Sequence, residues 1–302
     1  MKIAAIVITH NRKQLLSRCL DAIEAQTRRP DVVYVVDNAS TDGTADFLKS
    51  RQEAIPMEII SIPENMGGSG GFYTGIKAAH QAGLYDYFWI MDDDGVPADD
   101  CLEQLLTMAP YHHIAPLVVD TDNPDQLAFP NWHIRKGMTT VKQVEDVYGP
   151  DGIILDHENP FNGILLSDKL LREVGYPNKD FFIWGDETDF YLRTFRAKLA
   201  PLTVVKARHH HPKDRTVLYK DYRGHECLLY VDSPLRRYCY YRNYSYIYHS
   251  QNHTSRVWRL TFAYTLFYLF NRKMDLRGLG LYWRAMIHGL RGDFSHTKDY
   301  LN

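Results

Sequence analysis

Three successive carboxylates, Asp92-Asp93-Asp94, follow the apolar run Phe88-Trp89-Ile90-Met91. Carboxylates at i and i+2 on a strand end or tight turn can hold a hard divalent cation and leave positions for water and diphosphate oxygens. Like charges at the mouth of a sheet repel unless a cation offsets them, so Asp92 and Asp94 are expected to face a metal and Asp93 a nucleotide. The plain alternative is a solvated acidic turn. A second acidic group, Trp184-Gly185-Asp186-Glu187-Thr188-Asp189, opens a helical pattern that continues through Arg193. One carboxylate there caps free amides and suits the helix dipole. Three exceed that need, and one beside a bound sugar can take a proton from an acceptor hydroxyl. Trp184 offers a flat apolar face for a sugar ring, or equally a core side chain.

Asn65-Met66-Gly67-Gly68-Ser69-Gly70-Gly71-Phe72-Tyr73-Thr74-Gly75 reads as a glycine-rich loop between a strand and a helix, where backbone can approach a phosphate or sugar closely. It is neither common phosphate loop: the GxGxxG spacing is not met, and Gly75 is followed by Ile76 where a P-loop needs Lys. His209-His210-His211 follows an apolar run, and alternation puts His209 and His211 on one face and His210 on the other. An imidazole there can serve a metal or a phosphate, or merely end a strand. No Ser/His/Asp grouping stands in a GxSxG setting.

The elements that must position these residues alternate strand-like and helix-like patterns, the signature of a parallel sheet with crossover helices. Strands are expected at Ile3–Thr9, Val32–Asp37, Glu58–Ile62 and Tyr85–Met91, and helices at Lys13–Gln26 and Ala45–Arg51, with Asp42 at the start of the latter. In open α/β sheets ligands gather at the carboxyl ends of the strands, so Thr9 to Arg12, Asp37-Asn38 and Asp92 to Asp94 should converge. Residues 120–160, rich in Asp, Asn, Pro and Gly, read as decoration. A second ordered block follows, with strands at Phe161–Leu166 and Leu202–Val205 and helices at Asp168–Val174 and Glu187–Lys198.

The chain has 302 residues and a formal charge of −2, which argues against a nucleic-acid footprint over the whole surface. That total hides a split, because residues 233–302 carry 11 Lys+Arg against 3 Asp+Glu. Cys19, Cys101, Cys227 and Cys239 form no CxxC pair, so neither a disulfide framework nor a cysteine zinc site is expected and a reducing compartment is. The apolar start is too short for a signal peptide, and Leu260–Phe270 is about half a membrane span.

Taken in order, Ile6 to Arg12, Val35 to Thr44, the glycine segment, Asp92-Asp93-Asp94, Trp184-Gly185-Asp186-Glu187 and His211 resemble the inverting nucleotide-sugar glycosyltransferases of family 2, across about residues 1–212. Within that family the glycine segment and Trp-Gly-Asp-Glu look most like bacterial galactofuranosyltransferases, with rhamnosyltransferases second. The resemblance implies a GT-A fold: a Rossmann-like, mostly parallel sheet flanked by helices, which is expected to span residues 1–232 as a nucleotide-sugar part (1–110) and an acceptor part (111–232); residues 233–302, beyond the match, read from their own pattern as a helical extension. It implies that Thr9, Arg12 and Asp37 hold uridine and diphosphate, with Asn65, Gly67, Gly68, Gly70, Gly71 and Asp93 also on the donor. Asp92, Asp94 and His211 would hold Mg²⁺ or Mn²⁺, Glu187 or Asp186 would be the base, and Trp184 and His209 would border the acceptor.

The reaction this implies is transfer of galactofuranose from UDP-galactofuranose, with dTDP-rhamnose the alternative donor, to a hydroxyl of a glycan or lipid-linked acceptor in bacterial polysaccharide synthesis. A nucleotidyltransferase could share such a sheet, but residues 9–13 lack its glycine-rich basic loop. A silent carbohydrate-binding scaffold is disfavoured by the intact acidic positions. The basic, aromatic last quarter reads as amphipathic helices that pack on protein or a second subunit, or else lie on the inner face of the plasma membrane from a cytoplasmic position.

Overall fold

Every residue of Ile3–Thr9 is buried, which an amphipathic strand would not be. The run is buried because both faces of its sheet are covered: Ile3, Ala5 and Val7 enter one core with Leu16, Cys19, Leu20 and Ile23, while Ala4, Ile6 and Ile8 enter another with Phe72, Ile76 and Ala79. A computed structural model describes residues 1–52, 54–131, 137–213, 216–225 and 227–301. Contacts divide the chain into two units, Met1–Lys179 with Phe190–Asp214 and Asp180–Asp189 with Arg215–Asn302. Residues 180–189 fall in the later unit, where Phe181 accepts from Arg242 and Asn243 of the helix that begins at Pro234.

The first unit runs β1 (Ile3–Thr9), α1 (Lys13–Glu24), β2 (Val32–Asn38), α2 (Thr44–Ser50), β3 (Met57–Ile62), α3 (Gly67–Gln81), β4 (Tyr87–Asp92), β5 (Val96–Pro97), α4 (Cys101–Leu106), β6 (His113–Asp120), β7 (Gln126–Asn131), β8 (Met138–Thr140), α5 (Val141–Tyr148), β9 (Ile153–Leu155), β10 (Asn162–Ser167) and α6 (Asp168–Val174). After α7 (Asp186–Arg196), whose first turn groups with the second unit, β11 (Leu202–His211) completes an eleven-stranded sheet. Its order is β3-β2-β1-β4-β10-β6-β11-β5.

The four N-terminal strands pair in parallel, as the alternating pattern requires. The rest of the sheet is mixed, since β10 runs antiparallel to β4 and β6 while β6 and β11 are parallel. Within residues 96–167, β6, β7 and β8 follow one another as antiparallel neighbours, so among the described residues parallel pairing is confined to β1–β4 and to β6 with β11. Register aligns the strand ends, with Thr9 opposite Asp37 and Ile8 opposite Asp92.

The expected glycine loop is the start of a helix. α3 begins at Gly67, and its glycines serve contact with the sheet: a Cβ on Gly71 would sit 2.4 Å from Ile8 Cγ2, and one on Gly75 2.6 Å from Ile6 Cγ2. Seating α3 on β1 at this distance excludes side chains from that helix face.

The second unit contains β12 (Leu218–Lys220) paired with β13 (Cys227–Leu229), then α8 (Pro234–Ser250), α9 (Thr254–Leu266), α10 (Leu276–Arg291) and a 3₁₀ turn at Ser295–Tyr300. Tyr238, Tyr241, Tyr264, Tyr268, Tyr282, Ala285 and Met286 build its own core. Ser233 caps α8 through its hydroxyl, with Pro234 at the first helical position.

Candidate active site

At the carboxyl end of β4 the chain turns through Asp92, Asp93 and Asp94. Asp93 is buried and spends both carboxylate oxygens on protein: Thr9 Oγ1 donates to Oδ2 at 2.7 Å, and Arg12 Nη1 to Oδ1 at 3.2 Å. The same Arg12 nitrogen reaches Asp94 Oδ2 at 2.8 Å. Thr9, Arg12 and Asp93, read from sequence as donor contacts, therefore brace the acidic turn against β1. Asp37, also buried, accepts from the Ser40 amide at 2.9 Å and shapes the turn after β2.

Asp94 Oδ1 is enclosed with no hydrogen bond, and His211 Nε2 lies 3.4 Å away. His211 Nδ1 donates to the Pro212 carbonyl at 2.6 Å, which in the neutral ring leaves the Nε2 lone pair facing Asp94. Burial pushes the Asp92 carboxyl up to about 8, and Asp94 and Asp93 push it in the same direction. Burial also raises Asp94, but His211 and Arg12 outweigh it and hold that group below its ordinary value. His211 is raised in turn, burial notwithstanding, by Asp94. Two carboxylates with opposite shifts and an imidazole nitrogen beside a buried carboxylate oxygen form a donor set that fits a divalent cation.

His209 is fully buried, which corrects its expected place beside an acceptor. Its ring sits where side chains on Gly95 or Gly163 would collide, 2.3 Å from Nε2 and 2.7 Å from Nδ1. The left-handed Gly163 (φ +75°) marks a bulge of β10, and Trp89 Nε1 donates to its carbonyl at 2.9 Å. Burial depresses His209 to about 3, so the ring is neutral and acts as a spacer under the acidic turn. His210, on the other face, contacts the Val96 carbonyl at 3.1 Å.

Sequence reasoning brought His10, Asn38 and Asn65 to the site but missed that together they fix the start of α3. Asn38 donates to Asn65 Oδ1 at 3.2 Å and to the Gly67 carbonyl at 2.9 Å, and accepts from the Met66 amide at 2.9 Å. His10 bridges the Asn38 carbonyl and Asn65 Nδ2. Gly67 has φ +68°, Gly68 has open space around it, and Gly70 packs on Met66. The available signal was an Asn at a strand end beside an Asp.

In the second unit the turn before α7 holds Phe182, Trp184 and Gly185 at positive φ of 69°, 61° and 96°. Such backbone persists only when its surroundings enforce it. Asn243 Nδ2 supplies that by donating to the carbonyls of Phe181, Ile183 and Trp184, and the fully buried Arg242 donates to Phe181 O. Neither residue was a candidate from sequence, since an Arg-Asn pair inside a Tyr-rich helix carries no motif. The turn presents a buried Asp186 and a half-buried Glu187 whose two oxygens accept from the Gly185 amide at 3.0 and 2.9 Å. Trp184 is half-buried, with the Arg236 guanidinium 5.8 Å from its ring centroid.

The sheet order and the acidic turn at the end of β4 define a GT-A glycosyltransferase. A sequence profile described as glycosyl transferase family 2 matches residues 4–153. The chain belongs to that family. It is 30% identical over 301 residues to galactofuranosyltransferase GlfT1 of Mycolicibacterium smegmatis, covering 97% of each chain, and 31% identical to GlfT1 of Mycobacterium tuberculosis over 96% of each. Among solved structures, S. aureus TarS 1–349 in complex with UDP-GlcNAc matches with a TM-score of 0.57 at 16% identity, covering 98% of this chain and 81% of that one. Mannosyltransferase PcManGT from Pyrobaculum calidifontis, in complex with GDP-Man and Mn²⁺, matches at 0.55 and 14%, covering 96% and 75%. These two likenesses support the fold.

Proposed function

We propose that the protein transfers galactofuranose from UDP-galactofuranose to a hydroxyl of a glycan or lipid-linked acceptor, inverting the anomeric configuration. The observation that carries the donor is the near full-length similarity to two GlfT1 chains, on a chain that retains the acidic turn and the Trp-Gly-Asp-Glu segment. Mg²⁺ or Mn²⁺ held by Asp92, Asp94 and His211 would neutralise charge on the departing diphosphate. Thr9 and Arg12 hold Asp93 and Asp94 in place, and the start of α3 faces the donor with Asn65, Gly67 and Gly68. Glu187 is the base, because it is the less buried member of its pair. It takes the acceptor proton as the acceptor oxygen bonds to the anomeric carbon and the bond to diphosphate breaks.

A lipid-linked acceptor fits the second unit. Trp258 and Phe262 on α9, and Leu276, Trp283 and Ile287 on α10, are exposed at helical spacing, while Arg277, Arg284 and Arg291 recur every seventh residue of α10. Among the described residues no helix is long and apolar enough to cross a membrane. Apolar stripes edged with arginine suit the surface of an anionic leaflet. A cavity of about 680 Å³, lined by Arg237, Arg277 and Arg284 with Asp275 as its single carboxylate, suits a lipid phosphate.

The test of the donor is a screen of UDP-galactofuranose, UDP-galactopyranose, UDP-glucose and dTDP-rhamnose with a glycan acceptor, the product linkage being read by NMR. Transfer from UDP-galactofuranose is expected to dominate. Preference for dTDP-rhamnose would replace this reading with its alternative.

A further inference from the structure

The C-terminal end of the second unit gathers His288, Asp293 and His296 so that one ligand atom of each lies within 4.8 Å of the other two. Each of the three is oriented by bonds at its other atom. His288 Nδ1 meets the Tyr238 hydroxyl at 2.7 Å, which leaves Nε2. His296 Nδ1 meets Asp299 Oδ2 at 3.0 Å, and its Nε2 lies 3.5 Å from Asp293 Oδ2. Asp293 Oδ1 accepts from the Ser295 amide at 3.0 Å and hydroxyl at 2.7 Å, which leaves Oδ2. The imidazoles stack with centroids 4.5 Å apart and planes 20° apart, and Tyr238, itself fully buried, stacks on Tyr300.

In histidine metal sites the non-ligating ring nitrogen is held by a carboxylate or another hydrogen-bonding group, which sets the tautomer and aims the lone pair. His296 shows that arrangement, its Nδ1–H donated to Asp299, which leaves an Nε2 lone pair; the Tyr238 hydroxyl holds His288 Nδ1, and the tautomer in which that nitrogen donates frees the His288 Nε2 lone pair as well. Two imidazoles and one carboxylate match the preferences of zinc and related borderline ions, whereas Mg²⁺ and Ca²⁺ favour sets in which oxygen donors predominate. All three residues are partly exposed, so an ion can reach them from solvent.

We propose that His288, Asp293 and His296 form a zinc-class cation site that clasps the Ser295–Tyr300 turn to the last turn of α10. The site uses none of the residues assigned to the donor, and its existence does not depend on which sugar is transferred.

The test uses the full chain, stripped with chelator and titrated with ZnCl₂ by calorimetry in excess MgCl₂, with retained metal read by elemental analysis after gel filtration. Wild type and Asp92→Asn are expected to keep a zinc ion. His288→Ala and His296→Ala are each expected to weaken zinc binding at least about 10–100-fold, the loss that even outer-shell changes produce. His296→Gln, which preserves bulk and polarity, guards against misfolding: zinc should raise the melting midpoint of wild type and not of this variant. No retained zinc in wild type, or equal zinc affinity in wild type and both alanine variants, would overturn the proposal and leave the cluster as an ion-paired cap.

Discussion

Asp92 lies at the point where structure and chemistry conflict most. Its carboxyl is raised to about 8, so the fold favours its protonated form; the associated stability is complete below the ordinary carboxylate range and is lost as pH rises toward 8. In chelator, Asp92→Asn should therefore stabilise the chain relative to wild type by on the order of 1–3 kcal/mol at pH 8 and much less at pH 4.5, seen as a higher melting midpoint at the higher pH. Equal midpoints at pH 8 would refute the strain. With Mg²⁺ or Mn²⁺ the same variant should lose most transfer activity. Glu187→Gln should lower turnover about 10²–10⁴-fold with unchanged donor binding, the range for a lost general base. Asp186→Asn should act through stability, because Asp186 is buried. Near-normal turnover in Glu187→Gln with intact folding would move the base elsewhere.

At the scale of elements, α3 and the turn before α7 show how local backbone serves a site. Gly71 and Gly75 allow α3 to lie against β1, so Gly71→Ala should destabilise by about 1–3 kcal/mol through overpacking against Ile8. Ile8→Ala added to it should recover part of that loss, which chemical denaturation of the four members of the cycle would measure. Absence of coupling would mean that α3 shifts to absorb the methyl. The extents of β1, α1, β2 and α6 were legible because a strand buried on both faces leaves a continuous apolar run and an amphipathic helix leaves a period in the sequence. The helical state of Gly67 to Gly75 was not, because glycine's low intrinsic helix propensity is overridden by packing on the sheet. Nor was the mixed second half of the sheet, since strand direction depends on pairings between residues far apart in the chain.

For the whole molecule, the charge division of the sequence sets the basic last quarter apart from the acidic remainder. The exposed stripe of Trp258, Phe262, Trp283 and Ile287 with its arginines should bind vesicles containing anionic lipid and release them as salt is raised. The combined variant Trp258→Ser, Phe262→Ser and Trp283→Ser should lower vesicle co-sedimentation at least about tenfold while activity on a short soluble acceptor persists. Equal co-sedimentation of variant and wild type would remove the membrane role. The sequence by itself determined the family, the α/β alternation and the acidic positions, because these lie in contiguous residues whose types carry the chemistry. Only the tertiary structure decided that Thr9 and Arg12 brace the acidic turn, that His209 is a buried spacer while His211 faces Asp94, and that Arg242 and Asn243 hold the turn carrying Asp186 and Glu187. Those roles arise from hydrogen bonds and burial between segments tens of residues apart, and a hydrogen bond across that separation leaves no period or motif in the chain that makes it.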